Sequence, residues 1–370
     1  MKFLIVNTDY PEFLRWFYTE AAALKVSSYD EQMWARNESL FGLADFYSSN
    51  LRGLGHEAQE VYANNEWMQQ AWLREHGRAH STTSPWRSRW LRLGPRRDPE
   101  PSWMYEILAL QIKAWRPDVL LNQAMDGISS RFVREMRPYV RLMVGQHAAP
   151  FPEGGDVKGY DLIISSLPNL VERFRGQGIP TQLLRLAFEP RVLDRLPKGH
   201  ATMAVSFVGS LTGGHGSRIR LIDQLCAHLD IDVWGPSLNG IPDTSPIRHR
   251  YRGPAWSLKM YEVLRGSRIT VNHHIDMAGP YANNMRLFEA TGVGTLLVTD
   301  AKVNLASMFE PGQEVVPYAS PEECVEVLQH FLKREEERQK IASAGQQHTL
   351  RHHTYHERMK ELIELVRRYV

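Results

Sequence analysis

Short apolar runs, each closed by turn-forming polar residues, recur along the chain and alternate with stretches of helical periodicity. The first, Lys2–Asn7, runs into Thr8-Asp9 and predicts a buried parallel strand feeding a turn above a sheet. After helical stretches, Gly53, Gly55 and His56 lead to a second predicted strand over Glu60–Asn64. A helix ending at Trp115 precedes the next predicted strand, Val119–Asn122, and two more follow over Val140–Val144 and Tyr160–Ser166. The pattern restarts after Pro197-Lys198-Gly199, with strands expected over Val205–Val208, Ile231–Gly235, Ile269–Asn272, Thr295–Val298 and Val315–Tyr318. Helices are expected over Ile219–Leu229 and Trp256–Leu264 and from Asn284, and a long charged helix beyond Pro321.

Two blocks of alternating strand and helix imply an α/β chain with two doubly wound, parallel-sheet, Rossmann-like domains. The expected boundaries are 1–195 for the first and 196–355 for the second, with 356–370 as a C-terminal helix returning to the first. Two such domains facing a central cleft would bind a ligand at the carboxyl ends of both sheets. The residues that follow the strands there are unusually polar: Asn7 to Asp9, Asn122-Gln123, Gln146-His147, Gly209-Ser210 and Asn272-His273-His274.

Composition narrows the class. Lys plus Arg number 44 against 42 Asp plus Glu, leaving +2, which is too balanced for a dedicated nucleic-acid binder. Hydrophobic residues at 43% and charged residues at 23% exclude disordered and fibrous readings. Two cysteines, Cys226 and Cys324, exclude a disulfide scaffold and fit a reducing cytoplasm. The opening MKFLIVNTDYPEF reads as a first strand, not a signal peptide, and no apolar run is long enough to span a bilayer. A cytoplasmic location is expected. The Arg-rich loop 84–101, interleaved with Trp86 and Trp90, is a candidate for peripheral contact with an anionic membrane face; a solvated loop accounts for it too.

Four constellations could carry chemistry. Gly209, Ser210, Gly213, Gly214 and Gly216 make a flexible loop before a helix, and Arg218 could clamp a phosphate at its N-terminus. It lacks the dinucleotide and Walker spacings, and an ordinary βα loop is the alternative. In Asn284-Met285-Arg286-Leu287-Phe288-Glu289, Asn284 stands where a helix cap would, and Arg286 opposes the macrodipole. Arg286 could hold an anion and Glu289 a ribose, or the two could form a surface pair. Asn272 and His274 suit polar contact with a sugar or phosphate. Zinc is disfavoured, because neighbouring residues of a strand point apart and no Cys accompanies the histidines. His147, at a strand end, is the candidate base or oxyanion donor, with Asp9 second; a packed loop histidine and a helix cap are the alternatives.

Taken in order, Val205–Ser210 with Arg218, Tyr251-Arg252-Gly253, Ile269–Asn272, and Asn284–Glu289 running to Gly294 resemble the CgeB-like, spore-maturation-protein-like glycosyltransferases of the GT-B superfamily. The likeness covers 200–365 well and the first half loosely. It implies a nucleotide-sugar donor, UDP-sugar by default, held by the second domain, and an unidentified acceptor at the first. Gly209, Ser210 and Arg218 would meet the diphosphate, Tyr251, Arg252 and Gly253 would frame the base, and Arg286 and Glu289 would hold phosphate and ribose. It also implies a transferase that needs no metal or other cofactor. One departure stands out: related retaining enzymes often carry a Glu eight residues before Glu289, where this chain has Tyr281. A GT-B epimerase and a non-catalytic nucleotide-sugar-binding protein are the competing readings.

Overall fold

β1 (Lys2–Asn7), with Phe3 to Val6 almost wholly buried, is the second strand of a parallel sheet in the computed structural model. The structure describes residues 1–77, 102–150, 156–199, 201–211 and 216–370. The loop 84–101 and the glycines Gly213 and Gly214 therefore lie outside the described residues. The chain divides into two units: Met1–Ser166 with Leu170–Leu184 and Met359–Val370, and Leu167–Asn169 with Arg185–Arg358.

In the first unit β1 is flanked by β2 (Glu57–Tyr62) and β3 (Val119–Asn122), and β4 (Leu142–Gln146), β5 (Leu162–Ser165) and β6 (Thr181–Leu183) extend the sheet. The order is β2-β1-β3-β4-β5-β6, all parallel. The helix Ser102–Trp115 packs on this sheet through Met104, Leu108 and Ile112, against Leu4, Val6, Leu120 and Met143. β6 escaped the sequence reading because a three-residue edge strand carries no measurable periodicity.

In the second unit β7 (Met203–Val208), β8 (Ile231–Trp234), β9 (Ser267–Asn272), β10 (Leu296–Asp300) and β11 (Val316–Tyr318) run in the order β11-β10-β9-β7-β8, again all parallel. Val205, Phe207, Ile269, Val271, Leu296 and Val298 form its core with Ile222, Leu225 and Leu328 from the covering helices. The expected long charged helix is three helices, Pro321–Lys333, Glu335–His352 and Tyr355–Val366. The second break follows from side-chain bonds. His353 binds the Met308 carbonyl at 2.8 Å and Arg358 at 2.7 Å, and Thr354 accepts from the Glu357 amide to start the last helix.

Both sheets share one topology. The second strand lies on one side of the first and the third on the other, so each unit has its switch point beside its first strand. The registers Val6–Asn122 and Phe207–Val271 bring the residues just past each strand pair to a common carboxyl edge.

Candidate functional site

At the switch point of the second unit, β7 passes into Gly209-Ser210 and β9 into His273-His274. Arg218, in the first turn of the helix Gly216–His228, spans the gap between these ends. Its Nε and Nη2 donate to the His273 carbonyl at 3.1 and 2.7 Å, and Nη1 donates to the Ser210 carbonyl at 3.0 Å. Arg218 is 9% exposed and makes no ion pair with a carboxylate among the described residues. Burial pushes its pKa down to about 10, with the like charge of Arg286 adding to the fall and Asp300 opposing it. The guanidinium stays charged at neutral pH, held by neutral carbonyls near a second cation. That arrangement favours an incoming anion.

Arg286 opens the helix Arg286–Gly292. Its Nη1 donates to Glu289 Oε2 at 2.7 Å, its Nε to the Val208 carbonyl at 3.3 Å, and Nη2 lies 3.3 Å from Met260 Sδ. The pair is not on the surface: the two side chains are 13% and 5% exposed. Burial raises the pKa of the Glu289 carboxyl, and Arg286 opposes the rise. Asn284 does the work of a cap, its Oδ1 accepting from the Leu287 amide at 3.2 Å, although the helix begins two residues later than expected and Met285 occupies the boundary. The other end of the Asn284 amide donates to Asn272 Oδ1 at 2.7 Å, and Asn272 donates to Thr299 Oγ1 at 3.0 Å. These contacts fix both amides at the carboxyl edge.

The two histidines behave differently. His274 is buried, and its Nδ1 meets Asp300 Oδ1 at 2.6 Å, while Nε2 has no partner among the described residues. A carboxylate only accepts, so Nδ1 carries a proton. Burial would raise the Asp300 pKa, but the hydrogen bond from His274, with the electrostatic influence of His274, His273 and Lys302, holds it well below the usual range. His273 lies between the Ser217 hydroxyl at 3.0 Å and the Tyr318 hydroxyl at 2.9 Å, and burial lowers its pKa. The sequence reading missed Asp300 because it ended β10 at Val298. Carrying the strand to its end would have placed an acid at the carboxyl edge beside the histidines.

Tyr251, Arg252 and Gly253 sit at the end of β8. The Tyr251 hydroxyl donates to the Gly235 carbonyl at 2.7 Å, Arg252 pairs with Asp232 at 2.6 Å, and the Gly235 amide donates to the Gly253 carbonyl at 3.1 Å. Gly253 has φ +94, and a Cβ on Gly235 would stand 2.6 Å from the Gly209 carbonyl. Both positions thus require glycine, and the ends of β7 and β8 touch through bare backbone.

In the first unit His147 is buried beyond β4. Its Nε2 donates to the Ala149 carbonyl at 2.8 Å, and Nδ1 lies 3.7 Å from Asp126. Asp9 is also buried, and Arg36 grips both its oxygens at 2.9 and 2.5 Å. The Arg36 guanidinium is enclosed by Phe13, Phe41 and Tyr62. Behind it Glu60 accepts from Asn7 and from the Ser48 amide, and burial pushes its pKa up to about 8. Among the described residues no three His, Cys, Asp or Glu side chains converge as a metal site, and no helix is long and apolar enough to cross a membrane.

The chain's two parallel-sheet Rossmann-like units are a fold it shares with solved structures of the GT-B class. Anabaena Alr3699/HepE in complex with UDP-glucose aligns over 100% of both chains at 10% identity with a TM-score of 0.61. Sucrose-phosphate synthase from Thermosynechococcus elongatus aligns over 100% of this chain and 99% of its own at 11% identity and a TM-score of 0.58. AviGT4, a glycosyltransferase involved in avilamycin A biosynthesis, aligns over 100% and 97% at 12% identity and 0.57. Residues 218–364 match the family model described as glycosyl transferase-like. No curated protein matches the chain.

Proposed function

We propose that the protein is a glycosyltransferase, of the CgeB-like kind, that moves a hexose from a UDP-sugar to an acceptor hydroxyl without a metal ion. The observation that carries this reading is the buried Arg218 and half-buried Arg286 guanidiniums at the carboxyl edge of β7, with Glu289 beside them. Departure of a nucleoside diphosphate builds negative charge on the leaving oxygens, and fixed cations in a water-poor site stabilise that charge without reorganising. Arg218, Gly209 and Ser210 meet the diphosphate, Arg286 the phosphate nearer the ribose, and Glu289 accepts from the ribose hydroxyls. Tyr251, Arg252 and Gly253 frame the base. The match of residues 218–364 to a glycosyl transferase-like model spans Arg218, Arg286 and Glu289, and the HepE structure holding UDP-glucose shares the fold. His147 of the first unit is the group we assign to the acceptor side.

The test is a thermal-shift panel of UDP, GDP, dTDP and ADP with their sugars, on the wild type, Arg286→Ala and Glu289→Ala. A ligand that binds only the folded state raises Tm once it exceeds its Kd. Stabilisation by UDP that both variants lose supports the donor site, and UDP release from the matching sugar in the presence of EDTA supports metal-free transfer. No shift at millimolar nucleotide overturns the reading. Tyr281, in place of the frequent acid, favours one competing outcome, a protein that binds the donor and turns nothing over.

A further inference from the structure

Arg218, the guanidinium assigned to the donor's diphosphate, follows directly on a residue that already holds an anion. Ser217 lies in the first turn of the helix Gly216–His228, and its hydroxyl donates to Asp276 Oδ1. Asp276 opens a short turn, Asp276–Ala278, beyond β9. Its carboxylate also lies over Gly216, where a Cβ would stand 3.9 Å from Asp276 Oδ2 and 3.6 Å from Arg220 Nη1. Bonds from the Ser217 hydroxyl and amide, with the electrostatic influence of His273 and Arg220, hold the Asp276 carboxyl below its usual range against the opposing effect of burial.

A carboxylate and a phosphate compete for the same donors. Both accept from hydroxyls and from amides at the start of a helix, where the dipole favours negative charge. Asp276 is exposed, so its side chain can turn away without unfolding anything around it. The backbone on either side stays fixed: the His274 amide donates to Asp300 at 3.1 Å, and Lys302 Nζ donates to the Gly279 carbonyl at 2.7 Å. The Asp276 charge also reaches Arg218, whose fork is anchored on the His273 carbonyl. With the carboxylate in place, an anion arriving at Arg218 meets a like charge beside it.

We infer that Asp276 is an internal anion that holds the start of the Gly216–His228 helix in the ligand-free protein and gives way to the diphosphate when the donor binds, an inference that rests on the donor reading above. A site filled by its own carboxylate takes the ligand only in the fraction of molecules whose carboxylate has turned out, so affinity falls in proportion. The same competition helps to expel the nucleoside diphosphate after transfer, since the carboxylate returns as the phosphates leave.

Calorimetric titration of the full chain with UDP, inorganic pyrophosphate and uridine tests this. Asp276→Asn keeps the size and an acceptor oxygen but removes the charge, and should tighten UDP and pyrophosphate roughly tenfold while leaving uridine unchanged. Asp276→Ala removes the acceptor as well and should tighten both in the same direction. Glu336→Gln makes the same change in net charge beside Glu335, which pairs with Arg268 at the opposite, amino end of β9, and should alter none of the three. If both Asp276 variants bind UDP no more tightly than the wild type does, the inference is overturned and the donor reading stands; weaker binding would make Asp276 a residue that positions Ser217. Equal tightening in Glu336→Gln, or tightening of uridine, overturns it too, because the effect is then not local to the phosphates. If neither the wild type nor the Asp276 variants bind UDP or pyrophosphate, the donor reading falls and the inference with it.

Discussion

The two units share a strand order around their first strands and put opposite chemistry at the switch points. In the second unit Arg218 is held by the Ser210 and His273 carbonyls, with the charges of Asp300 and Asp276 near it, and Arg286 is held by the Glu289 carboxylate. In the first, the buried cation Arg36 is neutralised by a bidentate Asp9 and enclosed by aromatic rings, and the neighbouring strand ends carry Gln123, Gln146 and His147. Asp9 takes up the Arg36 charge within the fold, whereas the hydrogen-bond partners of Arg218 among the described residues are carbonyls, which leave its charge open to a ligand. One fold can therefore carry an anion site or a neutral polar edge, depending on where a few acids fall.

The sharpest way to break this comparison is Asp9→Ala, which strands Arg36 in the interior. Breaking a buried pair costs about 3–5 kcal/mol, to be read by denaturant unfolding. A loss below about 1 kcal/mol would mean that the pair behaves as a solvated one and does not hold the edge. Next in size, His147→Ala should lower sugar-transfer turnover roughly 100-fold, the contribution of a positioned acid or base, while UDP affinity stays unchanged. Unchanged turnover would remove His147 from the chemistry.

Arg218→Lys keeps the charge but cannot reach the Ser210 and His273 carbonyls together. We expect about tenfold weaker UDP binding together with a lower ligand-free Tm. Loss of affinity at constant Tm would mean that the carbonyl contacts do not organise the loop. The smallest effect is expected at Glu60, whose folded pKa of about 8 stands above its ordinary 4.5. A raised pKa means folding favours the protonated form, so this stabilisation is complete below pH 4.5 and is lost as pH rises through about 8. Glu60→Gln should therefore flatten the decline of Tm between pH 5 and pH 9 that the wild type shows relative to it. Parallel Tm profiles would show that Glu60 is ionised throughout.

Much was legible along the chain, for identifiable reasons. Parallel strands buried on both faces read as continuous apolar runs, so β1, β3, β7 and β9 stood out, and the switch-point rule then drew attention to the residues just beyond them. Arg286 and Glu289 were visible as a pair at helical spacing, with Arg286 on the unfavourable end of the dipole. Their burial was not visible, because exposure depends on Met260 and Val208, which lie distant in sequence. Asp9 shows the same limit. Its place after a strand suggested a base, but Arg36, 27 residues away, takes both its oxygens.

Local pattern by itself determined the alternation of strand and helix, the two α/β blocks, and the residue types at the carboxyl edges, since these follow from burial periodicity and turn chemistry over a few residues. Tertiary structure alone decided which charges are spent and which remain. A partner's identity is set by packing between segments far apart in the chain, as with Arg36 on Asp9, Arg218 on Ser210 and His273, and His274 on Asp300. Whether a buried charge is neutralised or left to attract a ligand depends on such pairings, and no short stretch of sequence encodes them.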